Sequence, residues 1–445
     1  MAREGSGRAR LRRILGLALP IIGAMVSQSL LNVVDTAMVG RLGDAALAAV
    51  GLGSFVLFTV QALILGFTVG VQAMAARRKG EGRNAESAVV LNGALVLVLV
   101  AGPPLAAALF VLAPRLFPLL NPDPAVVALV TLYFQARIVA GPFMAMNYCF
   151  RGYWNAVDLS RLYMGTLLVM HATNVALNYV LIFGHFGAPA LGVQGAGIAT
   201  ALSVALGTVI YFWLGLRHAR GAGFLRRLPA LPELRTLVRI SMPAGLQHLS
   251  MSAGLVVLYW IIGRIGTAEL AAANVLLNVM TVVILPGTGL AIATATLVGQ
   301  ALGRGDVDDA SRWAFDGVRV GLVGLGLLGL PLVLWPDAVL GIFIHDAATL
   351  DLARLPMRIA GAAVVLEGMK RIFMHALMGA GDTRRVMWVM VSTQWALFTP
   401  LAYVIGPVWG YGLLGIWLGQ ELYRLVQTGV FVQFWRQRRW AAVTV

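Results

Sequence analysis

A chain of 445 residues with 59% hydrophobic and only 12% charged side chains falls outside the soluble globular class, where about a quarter of residues are charged. The single cysteine, Cys149, excludes an intramolecular disulfide framework and a cysteine-rich metal site. A net charge of +15 would suit nucleic acid only if the basic residues gathered on one folded face, and their distribution argues otherwise.

A membrane span needs about 20 apolar residues, and twelve such segments are expected, at 14–38, 46–74, 87–112, 125–149, 162–183, 191–216, 236–261, 268–297, 313–335, 351–377, 386–406 and 411–434. Short turn-forming clusters such as NPDP at 121–124 and GRGD at 303–306 separate them. The fold class is therefore all-α integral membrane, with twelve transmembrane helices. No cleavable signal is expected, because the basic start runs straight into a full-length span.

The first span carries both a proline, Pro20, and a carboxylate, Asp35. Proline inside a helix removes a backbone hydrogen bond and favours a kink. An intramembrane charge costs a few kcal/mol on insertion scales and normally faces a cavity or a partner. Gln28, Asn32 and Asp35 share one face of this helix, and His171, Asn174 and Asn178 share one face of the fifth span. Pairing the two polar faces inside a bundle resolves the cost of both, with Asp35 bonded to Asn174 or Asn178. Burial and amide donors act on such an acid in opposite senses, as a proton-coupling residue requires. A static polar network that only ties two helices together is the alternative. Asn147 and His171 are further cavity candidates, although a lone intramembrane histidine more often makes a helix–helix hydrogen bond. Glu367, with Lys370 and Arg371 after it, and Glu421, with Arg424 at i+3, read as ion pairs, the former at the surface.

If the N-terminus is cytoplasmic, the inside segments hold 27 of the 34 Lys and Arg, which orients both ends to the cytoplasm. Five more lie in outside loops, and Arg137 and Arg424 lie within spans. The positive charge is thus a topology signal that meets membrane lipids, and no nucleic-acid partner is expected. The basic connection 217–239 divides the chain into an N-terminal six-helix lobe, 1–216, and a C-terminal six-helix lobe, 240–445.

The two halves are repeats. A shift of 223 residues lays GRLGDAALAA at 40–49 on GRIGTAELAA at 263–272, with seven of ten positions identical, and lays Pro20 on Pro243 and Gly66 on Gly289. Six spans per half make these parallel repeats about an axis along the membrane normal, an arrangement used for alternating access. Asp35 falls on Leu258, so the acid belongs to the first half alone. No phosphate loop, HExxH or paired-carboxylate motif is present; neither an enzyme nor a cofactor is expected.

With these residues in place, the chain resembles the multidrug and toxic compound extrusion (MATE) family. The resemblance rests on the two six-helix halves and on the P-x7-Q-x6-D pattern of Pro20, Gln28 and Asp35. The VGRLG turn, the Asn174–Asn178 pair and LMGAGDTRRVM at 377–387 add to it. The branch related to the DNA-damage-inducible protein F is the most similar. The resemblance implies a multidrug efflux antiporter of the bacterial inner membrane, exporting bulky, mostly cationic organic compounds or other xenobiotics in exchange for H+. It also implies a V-shaped pair of bundles with a central cavity. Asp35 would be the coupling acid, Gln28, Asn174 and Asn178 its surround, and Pro20 the bend. Asn32, Asn147 and His171 would line the substrate cavity. Some relatives carry an aspartate where Asn178 stands, so the amide here favours H+ over a two-carboxylate Na+ site. A Na+-coupled drug exporter, a flippase for a lipid-linked sugar and a membrane-embedded transferase are the alternatives. Two internal lobes make a monomer sufficient.

Overall fold

The computed structural model describes residues 7–445, so the start of the basic N-terminal tail lies outside the described residues. Among the described residues fifteen α-helices, some of them pieces of one span, follow one another, and no strand occurs. The first half comprises α1 (Gly7–Gly40), α2 (Asp44–Gly80), α3 (Val89–Leu120), α4 (Pro124–Ile138) with α5 (Gly141–Ala156), α6 (Ser160–Phe183) and α7 (Gly192–His218). The second half comprises α8 (Leu231–Gly263), α9 (Thr267–Gly303), α10 (Val307–Leu334), the short α11 (Pro336–Leu340), α12 (Ala347–Gly379), α13 (Thr383–Ser392) running on into α14 (Thr399–Tyr403), and α15 (Gly412–Arg436). Among the described residues nine helical stretches are long and apolar enough to cross a membrane, and the α4–α5 pair makes a tenth. The remaining two, α12 and α15, have the length but carry Glu367, Lys370, Arg371, Glu421 and Arg424. Their charges neutralise one another, as set out below.

The repeat seen in the sequence extends to the helix ends. Adding 223 to the bounds of α2 reproduces those of α9, and the same shift carries the outer limits of α4–α5 onto those of α12. The symmetry breaks inside that last pair. The fourth span, expected to be continuous, turns by 51° between Ile138 and Gly141, whereas α12 runs unbroken. The connection between the halves is also shorter than expected. Residues 217–218 complete α7 and Leu231 already starts α8, and Asn92 anchors the turn between them by donating to the carbonyls of Gly223 (2.8 Å) and Arg227 (2.7 Å).

Two compact units divide the chain, and they are not simply the two halves. One contains the described chain up to Ile22, Gly80–Gly82 and Leu246–Val445; the other contains Gly23–Lys79 and Arg83–Gly245. The division therefore cuts α1 after Ile22 and α8 after Gly245, two residues beyond Pro20 and Pro243 respectively. These are equivalent positions under the repeat. Within the second unit the start of α8 lies against α2 at Gly66, where a Cβ would stand 2.1 Å from the Ser241 carbonyl. Within the first unit the start of α1 lies likewise against α9 at Gly289, where a Cβ would meet Ile22. Glycine at both places lets helix backbones approach closely, as small residues do in membrane packing.

Candidate ion-coupling site

The polar faces foreseen on α1 and α6 meet in the second unit. Asn178 Nδ2 donates to Asp35 Oδ1 at 2.7 Å and to Asn174 Oδ1 at 3.1 Å. Asn174 Nδ2 donates to Thr200 Oγ1 at 3.1 Å and Ser203 Oγ at 3.2 Å on α7. Those hydroxyls donate in turn to the carbonyls of Ala196 and Ala199, one helical turn back. Every donor in this relay has a partner. With the Asn174 amide turned over, its nitrogen comes to 3.0 Å from Asp35 Oδ1 and its oxygen accepts from the same hydroxyls. The carboxylate thus has one amide donor in one orientation and two in the other. Asn174 and Asn178 are buried, Asp35 is half-buried, and Asn178 Oδ1 is left without a hydrogen-bond partner.

One and two turns before Asp35, further polar contacts line the same helix pair. His171 Nε2 lies 3.1 Å from Gln28 Oε1, and Gln28 Nε2 donates to Asn32 Oδ1 at 3.2 Å. His171 therefore makes the helix–helix contact that a lone intramembrane histidine is expected to make. Asn32 is exposed. Asn147 is elsewhere: it is buried between α5 and α7, donates to the Val204 carbonyl at 3.1 Å and accepts from Thr208 Oγ1 at 2.8 Å. Asn147 joins neither the Asp35 network nor the lining of the cavity below. Pro20 lies in the first unit, fifteen residues before Asp35.

Beside the network, a small cavity is lined by α2, α3, α4, α5 and α7. Its walls are mostly apolar, with Gln61, Thr200 and Arg137 as the polar members. Thr200 therefore touches both the cavity and the amide relay. Arg137 was recognisable beforehand only as a cation left inside a span; its neighbourhood depends on the break between α4 and α5.

The other buried charges lie in the first unit. Glu367 is 4% exposed and pairs with Lys370 (2.7 Å), Arg371 (2.8 Å) and Arg424 (3.3 Å), while Arg424 also pairs with Glu421 (2.6 Å). The surface pair expected at Glu367 is thus an interior cluster. The i+3 and i+4 spacings gave two of its contacts, whereas Arg424 reaches it from α15, a distance in sequence that no local rule covers.

Known proteins resemble the chain over nearly its whole length. The MatE family model matches residues 20–180 and 243–404. A probable multidrug resistance protein NorM from Synechococcus sp. is 32% identical over 442 residues, covering 96% of this chain and 94% of that protein. One of the same description from Xanthomonas campestris pv. campestris is 31% identical, covering 91% and 89%. These two carry the NorM name rather than that of the DNA-damage-inducible protein F branch. A solved structure described as an outward-facing conformation of a multidrug resistance MATE family transporter superposes with a TM-score of 0.90 at 22% identity, covering 99% of this chain and 98% of the other. A structure described as MATE in the bent conformation superposes with a TM-score of 0.88 at 23% identity, covering 98% and 96%.

Proposed function

The chain belongs to the MatE family of multidrug and toxic compound extrusion transporters, and on that premise we propose that it exports varied organic compounds across the bacterial inner membrane in exchange for H+. The observation that carries the ion assignment is the 2.7 Å bond from Asn178 to Asp35. Asp35 is a lone carboxylate set among amides and hydroxyls, so one proton neutralises the site. As a carboxylate it accepts from Asn178; once protonated it becomes a donor. The unpartnered Asn178 Oδ1 supplies the acceptor after rotation of that amide. Proton binding then changes which way the relay through Asn174 to Thr200 runs, and Thr200 stands in the cavity wall. Pro20, where α1 lacks one backbone bond, is the place at which such a change bends the helix. Both chain ends face the cytoplasm in this reading, and one chain suffices. No enzymatic step or cofactor is invoked.

The test is export of a fluorescent organic cation, seen as uptake into inverted vesicles, energised first by a proton gradient without Na+, then by a Na+ gradient with the proton gradient collapsed. Efflux that follows the proton gradient and vanishes in D35N supports the reading. Efflux that needs Na+ would instead make Asp35 and the oxygens of Asn174, Asn178 and Thr200 a metal site, since hard cations take oxygen ligands.

A further inference from the structure

One buried side chain organises the turn between α7 and α8. Besides donating to the carbonyls of Gly223 and Arg227, Asn92 accepts from Leu225 N at 3.0 Å. Phe224 is fully buried, edge-on to Phe150 with ring centroids 5.7 Å apart. Pro229 is buried against α3 at Gly93, where a Cβ would stand 2.5 Å from its Cγ. The four residues between these anchors are all exposed: Leu225 at 57%, Leu228 at 67%, and Arg226 and Arg227 between them. Leu225 also holds a left-handed backbone with φ 53°, which a bulky residue adopts only where its surroundings impose it. The anchors therefore fix two leucines and two arginines in an outward position.

The turn lies at the height of the membrane surface. Phe224 packs on α7 at Gly215, where a Cβ would stand 2.5 Å from its ring. Gly215 comes two residues after Trp213, which is 55% exposed, and two before Arg217, whose guanidinium carbon lies 5.6 Å from the Trp213 ring. An exposed tryptophan at the end of a span marks the headgroup level, and the turn folds back to that level. The acids of the adjoining elements, Glu86 and Glu233, are taken up by Arg83 (2.6 Å) and Arg78. Among the described residues no carboxylate pairs with Arg226 or Arg227.

We propose that this turn is a docking site for an anionic phospholipid, its phosphate on Arg226 and Arg227 and its acyl chains against Leu225 and Leu228. Guanidinium forks match phosphate oxygens, and basic clusters beside the ends of spans hold anionic headgroups. Leucines held outward at headgroup depth meet the first methylenes of a lipid. A free phosphate ester would leave them in water. The site depends neither on the coupling ion nor on the compounds exported.

Photocrosslinking of the purified full chain in nanodiscs tests this. Phosphatidylglycerol and phosphatidylcholine, each with a diazirine in one acyl chain, are compared by peptide mapping of residues 213–235. The wild type is expected to take up the anionic lipid there about tenfold or more over the zwitterionic one, the scale of two arginines at an anionic surface. R226Q/R227Q should remove that preference while keeping the phosphatidylcholine signal and the thermal midpoint, which shows the variant folded. R226K/R227K should keep much of the preference, and L225S/L228S should lower labelling by both lipids. Excess glycerol 3-phosphate should displace neither. Equal labelling of the wild type by both lipids, or a preference that survives R226Q/R227Q, would overturn the proposal. So would displacement by glycerol 3-phosphate, or an unlabelled turn, as a face kept for a soluble protein would give.

Discussion

The Asn178 amide nitrogen sits 2.7 Å from Asp35 Oδ1 and 3.1 Å from Asn174 Oδ1, so one side chain ties the acid of α1 to the relay that ends in α7. Replacing Asn178 with Leu removes both bonds and leaves the carboxylate and Asn174 Oδ1 each short of a donor. Hydrogen bonds to charged groups contribute about 1.5–3 kcal/mol, so proton-driven efflux by N178L should fall about tenfold or more with the protein still folded. Efflux at the wild-type rate would remove Asn178 from the coupling site. The companion variant N178D adds a second carboxylate and should shift the ion dependence toward Na+, measured with the same vesicles.

Arg10 is held between Asp309 at 2.6 Å and Asp316 while its guanidinium lies 3.7 Å over the Trp313 ring. This clasp fastens the start of α1 to α10 within the first unit. Its side chain is mostly buried, so R10A should destabilise the purified protein by about 1–3 kcal/mol, read as a lower thermal midpoint. D316N should cost less, because Asp309 still holds Arg10. An R10A midpoint equal to wild type would show that the clasp contributes nothing.

Glu367 pairs with Lys370, Arg371 and Arg424, and Arg424 pairs also with Glu421. Removing one member of a buried charge cluster costs about 3–5 kcal/mol when the others are stranded. E367Q leaves Lys370 and Arg371 without their carboxylate while Glu421 still holds Arg424, whereas K370M leaves Glu367 with two cations. Thermal melting in detergent should therefore rank E367Q well below K370M, and the reverse order would contradict the geometry.

The repeat-related glycines should differ in tolerance. A Cβ on Gly66 would meet the Ser241 backbone at 2.1 Å, while one on Gly289 would meet Ile22 Cγ1 at 2.4 Å and the Ile22 backbone nitrogen only at 3.3 Å, so the closer clash at Gly66 is with backbone. G66A should give little monodisperse protein on size exclusion, and G289A substantially more. Equal yields would argue that the α2–α8 contact relaxes freely.

Asp346 caps α12, with Oδ2 accepting from Thr349 N (2.9 Å) and Thr349 Oγ1 (2.7 Å). Those two bonds hold its carboxyl below the usual value. A depressed folded-state pKa gives stability that is present above the unfolded value and lost as pH falls through the folded one. Protection of the Thr349 amide, its exchange measured against the intrinsic rate at each pH, should therefore fall once pH drops below the ordinary aspartate range, and D346A should show low protection at neutral pH. A cap insensitive to both changes would contradict the assignment.

Much of the site was legible because the signal is local. Polar residues at i, i+3 or i+4, and i+7 in a lipid-soluble helix must turn inward, so two such faces in one chain, on α1 and α6, had few ways to avoid each other. That logic paired Asp35 with the Asn174–Asn178 face and His171 with its helix neighbour. It has no purchase on Arg137, whose neighbours Ser54 and Tyr133 are ordinary residues and whose cavity depends on the break at 139–140. Nor does it reach Arg424, which arrives at Glu367 from another helix. Asn147 lies apart from the Asp35 network for a related reason: it bonds Thr208 and the Val204 carbonyl, both from α7. The unit boundary was invisible too, since nothing in the composition of α1 changes at Ile22.

That boundary bears on how the chain is assembled. The opening turns of α1 complete the unit built mainly from the second half, and the opening turns of α8 complete the unit built mainly from the first. Each half of the sequence thus lends an arm to the other and borrows one back, which is the pattern of a swapped dimer whose two protomers have been joined in tandem. A chain cut in the connection near Gly223 would yield two pieces, each presenting an apolar groove shaped for an arm it does not possess. The pieces should fold only when made together.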